Sequence, residues 1–220
     1  MAFGTKSSMG GRDYQEDGIK VVLDFNELLP DDVDKSVPRA FFGCFDGHGG
    51  SACMEHVKVK LIENLVAALT SNPSGAAADA LTAAYEATER QWFEAQAAKE
   101  KTDTSGSTAV ACLLQGNELT CANVGDSRAV LYTSAKEALP LTNDHKPNRE
   151  SERQRIEGVG AACEQKTRVT PKFLCLGGKT MNIGPCRVMP GGLAVARAFG
   201  DAKCKPARLL FSLLQTSTVA

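Results

Sequence analysis

The sequence lacks the features that would direct it to a membrane, to nucleic acid or out of the cell. No apolar stretch in its 220 residues approaches the ~20 residues that span a bilayer. The formal net charge is -1 and no dense block of one sign occurs, so neither nucleic acid nor an anionic membrane surface is an expected partner. The N-terminus has no apolar signal-peptide core and does not begin Met-Gly, so neither secretion nor myristoylation is expected. We therefore expect a monomer in the cytoplasm or nucleus.

Closely spaced cysteine pairs are also missing. The eight cysteines stand singly, without Cys-x-x-Cys spacing, and only three histidines could join them as ligands, so a zinc site is not expected. Cys44, Cys112 and Cys121 lie inside apolar runs, where a thiol acts as a small hydrophobic side chain. Reduced thiols are the prediction, as is typical of a cytosolic or nuclear protein.

What is present is an alternation of strand and helix patterns. The predicted elements are strands at 19–25 and 40–45, helices at 51–69 and 76–99, strands at 108–114, 118–124 and 128–133, and a short charged helix at 148–158. The last three strands are expected to form an antiparallel meander. Residues 169–192 are rich in Gly and Pro and aperiodic, which predicts a surface insertion, either a substrate or partner surface or a loop with no role. This order predicts an α+β layered domain.

One predicted strand ends abruptly in the acidic turn Phe45-Asp46-Gly47-His48-Gly49-Gly50. The glycines suit a tight turn directly after a buried strand. A carboxylate there can hold a metal ion, and the adjacent imidazole can move a proton. Other charged residues that could join this site are Arg12, Glu16, Asp17, Asp126, Asp144, His145 and Asp201.

Six motifs in a fixed order carry a family resemblance. They are RDYQED at 12–17, FDGHGG at 45–50, SGSTA at 105–109, ANVGDSR at 122–128, DHKP at 144–147 and GLAVARAFGD at 192–201. Together they resemble the metal-dependent serine/threonine phosphatases of the PPM (protein phosphatase 2C, PP2C) type. The resemblance implies a four-layer α-β-β-α sandwich, in which two antiparallel sheets lie face to face between helix pairs and the active site lies at one end.

The resemblance also implies a set of metal ligands for Mg²⁺ or Mn²⁺. Asp46 would bridge two ions, and the carbonyl oxygen of Gly47 would bind one of them. Glu16 would bind the same ion directly or through water, and Asp17 would hold metal-bound water. Asp144 would contribute to a weaker third site. Oxygen ligands of this kind are those that hard divalent ions prefer.

The substrate would be a phosphoserine or phosphothreonine protein. By the same resemblance, Arg12 would bind the phosphoryl oxygens and His48 would protonate the departing serine or threonine oxygen. Asp126 follows a glycine at a turn and is expected to be structural, whereas the role of Asp201 is left open. The Ser105-Gly106-Ser107-Thr108 stretch lacks the His and Asp arrangement of a serine hydrolase.

The C-terminal part departs from the family pattern. After Gly200-Asp201 the two later acidic motifs that supply metal ligands in the family are not found, so residues 1–203 are predicted as the phosphatase domain and 204–220 as a divergent tail. The second sheet is therefore expected to be incomplete. The alternative function is that of a non-catalytic relative or truncated product acting as a binding or regulatory module. Retention of Asp46 and His48 favours truncation of an active enzyme.

Overall fold

The computed structural model describes residues 2–169, 180–205 and 215–219. It divides them into two units. The first contains the described residues up to Asp144 together with 197–202 and 215–219, and the second contains the described residues of 145–196 and 203–205.

The helices and strands alternate along the chain in blocks. In chain order they are β1 Asp17–Val22, a 3-10 turn Phe25–Leu28, β2 Arg39–His48, α1 Ala52–Ser71, α2 Ala77–Ala97, β3 Gly106–Ser107, β4 Ala109–Gln115, β5 Glu118–Val124, β6 Val130–Tyr132, β7 Ala138–Pro140, α3 Glu150–Gly158, β8 Ala162–Val169, β9 Thr180–Met189, β10 Phe199–Gly200 and β11 Gln215–Val219. The predicted α+β class is confirmed.

The first unit is built on a seven-stranded antiparallel sheet. Its order is β10-β3-β2-β4-β5-β11, with β1 paired to β2. β2 is central: β1 pairs along one of its edges, while β4 and the short β3 follow each other along the opposite edge. The end of β2 that carries Asp46-Gly47-His48 is paired with Asp17 of β1 on one edge and with β3 on the other.

Helices α1 and α2 cover one face of this sheet. Phe41 and Phe45 on β2 are buried on that face, and they belong to one core cluster with Leu61 of α1 and Leu81 of α2. Side chains three and four residues apart on a helix share a face, so the apolar residues of each helix form one stripe that packs on the sheet. The two predicted helices are confirmed within two residues at each end. No helix in the described residues is long and apolar enough to cross a membrane.

The predicted meander is wrong in its third strand. The first two strands pair as expected, and β5 has the predicted bounds. After Val124, however, the backbone turns at Gly125, and β6 pairs with β7 instead of with β5. The free edge of β5 is taken by β11, which lies in the segment predicted as a divergent tail. The domain boundary placed at residue 203 stays a prediction.

The second unit contains α3 and the hairpin of β8 and β9. The charged helix is confirmed, beginning at Glu150. Residues 180–189, predicted as part of an aperiodic insertion at 169–192, instead form strand β9, paired with β8 around a bulge at Glu164/Lys166. Gly184 and Pro185 lie within β9, and because these residue types usually interrupt strands, the sequence pattern did not predict one here. Residues 170–179 of the same insertion lie outside the described residues.

Candidate active site

Two carboxylates meet at the end of the β1–β2 pair. The antiparallel register places Asp17 directly opposite Asp46, and residues directly opposite in an antiparallel pair have Cβ atoms about 4.5–5.5 Å apart. Asp46 is exposed to solvent, whereas its neighbours Phe45 and Gly47 are buried, as the alternation of a strand requires. The sequence-predicted pair is therefore brought together by backbone register alone.

Glu16 is held against the glycine turn that follows β2. Its Oε1 accepts a hydrogen bond of 2.6 Å from the backbone N–H of Gly50, and its carbonyl oxygen accepts one of 3.2 Å from the N–H of Gly47. A Cβ on Gly47 would overlap that same carbonyl oxygen, so only glycine allows the two segments to approach so closely. Glu16 thus lies beside Asp46, with one carboxylate oxygen engaged by the turn.

The backbone of Asp46 is fixed by Thr108. The N–H of Thr108 donates to the Asp46 carbonyl oxygen at 2.9 Å, and the N–H of Asp46 donates to Thr108 Oγ1 at 3.3 Å. A further hydroxyl contact of 2.6 Å joins Thr108 Oγ1 to Ser127 Oγ. The SGSTA and GDSR motifs therefore support the carboxylate that the resemblance places at the metal site.

His48 is paired with a buried carboxylate. Its Nε2 lies 2.9 Å from both Oδ1 and Oδ2 of Asp201, whose side chain is 3% exposed. Asp201 has φ 56°, in the left-handed region, and its N–H donates to the carbonyl oxygen of Ser105 at 3.0 Å. The pair lies against the backbone of Gly106, where an added Cβ would come within 2.5 Å of His48 Nε2. These contacts orient the imidazole ring at the end of β2.

A second buried carboxylate supports the segment that carries Asp201. Glu89 on α2 is 3% exposed, and its Oε2 accepts a hydrogen bond of 3.0 Å from the N–H of Gly200. Phe199, one residue earlier, packs on Tyr85 of the same helix with ring centroids 5.3 Å apart. Helix α2 therefore fixes the position of β10, and through it that of Asp201.

The charges of the site raise two pKa values. Partial burial, the carboxylates of Asp17 and Asp126, and a side-chain hydrogen bond with Asp17 raise the pKa of Asp46, although the charge of His48 opposes this. Burial by itself would lower the pKa of His48. The hydrogen bond and charge of Asp201 outweigh it and, with Asp46 and Glu16, raise the pKa of the imidazole. The imidazolium form of His48, which can donate a proton, is thus favoured.

Two predicted site residues, Arg12 and Asp144, make contacts of another kind. Arg12 is exposed in the segment before β1, where its N–H donates to the carbonyl oxygen of Met9, and within the described residues no hydrogen bond or ion pair joins it to Asp46 or His48. Asp144 accepts two hydrogen bonds from Arg128, at 2.9 and 2.8 Å. The roles of Arg12 in phosphate binding and of Asp144 in a third metal site stay predictions.

The fit of the site to Mg²⁺ or Mn²⁺ rests on paired carboxylates. Burial raises the pKa of Asp46 most, and the charge of Asp17 adds to it; a divalent cation between the two carboxylates would relieve their repulsion. In the described ranges, however, no three His, Cys, Asp or Glu side chains form a ready group of metal ligands. The donor chemistry therefore suits the ion, and the full ligand set, including Glu16 and Gly47, stays a prediction.

Sequence reasoning missed the contribution of three acidic residues. Asp126 was expected to be structural, yet its charge acts on Asp46. The role of Asp201 was left open, and Glu89 lies in a predicted amphipathic helix where it was given no role of its own. A signal for Glu89 did exist, since a Glu next to the buried stripe of a helix needs a partner. Nothing in the sequence indicated which partner.

Comparisons with known proteins identify the family of the chain. The family described as "Protein phosphatase 2C" matches residues 1–218. The chain is 36% identical over 205 residues to probable protein phosphatase 2C 11 of Arabidopsis thaliana, covering 93% of this chain and 47% of that protein. It is also 36% identical over 206 residues to probable protein phosphatase 2C 59 of the same plant, covering 93% and 56%.

Solved structures give the same fold. A C. elegans sex determining protein is similar with a TM-score of 0.73 and 26% identity, over 96% of this chain and 46% of that one. The serine-threonine phosphatase 2C from Toxoplasma gondii is similar with a TM-score of 0.68 and 23% identity, over 96% and 71%. At that identity the second likeness shows the fold alone.

Fold and site together define an α+β domain with opposed carboxylates and a histidine at one end of an antiparallel sheet. The chain belongs to the protein phosphatase 2C family, which is one of metal-dependent protein serine/threonine phosphatases. The resemblance inferred from the six motifs and the PP2C-like fold are thereby confirmed. The chain spans about half the length of these two curated relatives, 47% and 56%.

Proposed function

We propose that the chain, or the longer protein to which it corresponds, hydrolyses phosphoserine and phosphothreonine in proteins. The observation that carries this proposal is the opposition of Asp17 and Asp46 beside a His48 that is oriented by Asp201. A carboxylate pair that can hold divalent ions and a positioned proton donor are two parts of a site for metal-assisted phosphoester hydrolysis at neutral pH.

In this proposal Asp46, Glu16 and the carbonyl oxygen of Gly47 would hold two Mg²⁺ or Mn²⁺ ions, with Asp17 beside them. The ions would supply the Lewis acidity that turns water into a nucleophile toward phosphorus. The protein contributes the fixed position of the carboxylates. Register sets Asp17 against Asp46, and Thr108 restrains the Asp46 backbone.

His48 acts as the proton donor to the departing serine or threonine oxygen. Its raised pKa keeps it protonated at higher pH, and Asp201 fixes the direction of the ring. Positioned acid catalysis of this kind contributes about 10²–10⁴-fold in rate. Arg12 is proposed to bind the phosphoryl oxygens, because its exposed guanidinium is always charged and forms paired hydrogen bonds with them.

A binding or regulatory module without catalysis is the second candidate. It is favoured by the small number of converging ligands, since the described part of the chain offers no group of three. Such a module would still recognise phosphorylated proteins but would not turn them over. Localisation in the cytoplasm or nucleus and a monomeric state are also proposed on sequence grounds alone.

The test is hydrolysis of a phosphothreonine peptide by the purified chain with and without millimolar Mn²⁺, accompanied by calorimetric measurement of Mn²⁺ binding. Asp46→Ala should abolish both Mn²⁺ binding and turnover, whereas His48→Ala should slow turnover about 10²–10⁴-fold and leave Mn²⁺ affinity unchanged. Asp32→Ala, at an exposed carboxylate in the loop after the 3-10 turn, is the matched control and should change neither.

Unchanged Mn²⁺ affinity in Asp46→Ala would refute the metal assignment. Equal losses of Mn²⁺ affinity in both variants would refute the separate roles of Asp46 and His48. A folded chain that binds Mn²⁺ and phosphopeptide without turnover would establish the binding module instead.

A further inference from the structure

Two cysteines face each other across the centre of the large sheet. Cys112 on β4 and Cys121 on β5 are directly opposite in the register, and their Sγ atoms lie 2.7 Å apart as free thiols. The β4–β5 pairing runs without a register shift from Ala109↔Val124 to Gln115↔Glu118. The proximity is thus set by a regular ladder on both sides of the pair.

This geometry suits a covalent link between the two sulfurs. Directly opposed residues of an antiparallel pair have Cα atoms about 4.5–5.5 Å apart, which lies within the range of about 4.4–6.8 Å that a disulfide spans. Packing as two small hydrophobic side chains does not by itself explain sulfur atoms that lie closer than ordinary contact. Metal binding does not explain the pair either, because in residues 2–169, 180–205 and 215–219 no cluster of metal-ligand type is found.

A small molecule can reach one of the two sulfurs. Cys121 is 1% exposed, but Cys112 is only partly buried and lines an open hollow of about 300 Å³ on the sheet face opposite α1 and α2. Cys44 lines the same hollow and is exposed. The hollow is large enough for an oxidant of the size of hydrogen peroxide.

We propose that Cys112 and Cys121 form a redox modification site, at which a peroxide converts the two thiols into a cross-strand disulfide. In the first step the sulfur of Cys112 attacks one peroxide oxygen. An S–O bond forms, the O–O bond breaks, and the thiol proton leaves with the second oxygen as water. In the second step Cys121 attacks the oxidised sulfur. The S–S bond forms, the S–O bond breaks, and a second water departs. Two thiols and one peroxide thus give one disulfide and two waters.

Access to the hollow, rather than electrostatics, sets this order of steps. The hydrogen bond to Cys121 and burial raise the pKa of Cys112, so the first step is slow and limits the rate. The hydrogen bond with Cys112 lowers the pKa of Cys121, which favours a thiolate as the attacking group in the second step.

The link would join the two strands that support the proposed active site. β4 begins directly after Thr108, which is bonded to the backbone of Asp46, and β5 ends two residues before Asp126. The inference does not depend on phosphatase activity, because both the modification and its test concern the cysteines alone.

The test is a peptide map of the folded chain after peroxide treatment and alkylation of the remaining thiols. Cleavage after Lys101 and Arg128 releases residues 102–128, which contain Cys112 and Cys121 and no other cysteine. We expect this peptide to lose both alkylation sites and about 2 Da. A second cleavage after Glu118 separates the two cysteines, so the halves should stay joined until a reductant is added.

Three variants identify which cysteines form the disulfide. Cys112→Ala and Cys121→Ala should each abolish the internal link, whereas Cys44→Ala, at the exposed thiol of the same hollow, should leave it intact. The oxidised wild-type chain should also melt about 5–10 °C higher than the reduced chain, as expected for a link that closes a short loop.

Two outcomes of the map would overturn the proposal. One is a disulfide that joins peptide 102–128 to peptide 40–58, which carries Cys44 and Cys53. The other is a peptide 102–128 that keeps two alkylated cysteines after the remaining thiols of the chain have been oxidised.

Discussion

Replacing Gly200 by alanine should lower the free energy of unfolding of the first unit by about 2–5 kcal/mol. Gly200 has φ 72°, a conformation that costs an alanine about 1–2 kcal/mol. An added Cβ would also overlap the carbonyl oxygen of Ser105 and come within 2.7 Å of Cys53 Sγ. Because backbone atoms and a buried thiol cannot move away freely, overpacking adds about 1–3 kcal/mol.

The measurement is urea unfolding followed by the fluorescence of Trp92. This is the single tryptophan of the chain, and it is buried in α2, so its signal reports on the first unit. With a slope of about 2 kcal/mol per molar urea, the midpoint should fall by about 1–2.5 M.

Gly116→Ala is the matched control. Gly116 has φ 57° in the β4–β5 turn, but its added Cβ would meet only Val37 Cγ1, at an ordinary 3.6 Å. This variant should therefore lose only the conformational part, about 1–2 kcal/mol. Equal losses of unfolding free energy in the two variants would refute the close packing inferred around Gly200.

Two further predictions concern buried and capped polar groups. Tyr85→Phe removes the hydroxyl that donates to the carbonyl oxygen of Ala122 at 3.1 Å, and the free energy of unfolding should fall by about 1 kcal/mol, measured by the same urea titration; an unchanged value would mean that the hydrogen bond adds no net stability. Hydrogen bonds from the hydroxyl and N–H of Ser105 lower the pKa of Asp103, so this carboxylate stabilises the fold above its unfolded pKa, and the contribution is lost as pH falls through the lowered native pKa. Asp103→Asn should therefore reduce the loss of unfolding free energy between about pH 5 and pH 2, and an unchanged pH dependence would contradict this origin.

Local patterns predicted the helices and most strands of the first unit. The stripe of Leu81 and Tyr85 on α2 is set by the 3.6-residue period, and the alternation at the end of β2 by the period of two. These periods depend only on neighbouring residues. The prediction of a third meander strand was wrong because pairing is decided between distant segments. The turn at Gly125 directs β6 away from β5 to pair with β7, and β11 pairs with β5 instead.

The candidate site could be predicted only as far as its motifs reach. Asp46 and Asp17 follow from the order of the motifs, and strand pairing brings them together. The pairing of His48 with Asp201 could not be read from the sequence, because it depends on where β10 docks. The hydrogen bond from β10 to the buried Glu89 could not be predicted either, because Glu89 lies on α2, far from β10 in the sequence.

The 153 residues that separate His48 from Asp201 also have a consequence during synthesis of the chain. A ribosome adds about 5–20 residues per second, so His48 is made roughly 8–30 s before its partner. In that interval α1, α2, β4 and β5 are all translated, while the imidazole still lacks the carboxylate that orients it. The part of the nascent protein proposed to deliver a proton is thus among the last to be assembled, on a scaffold that is already present.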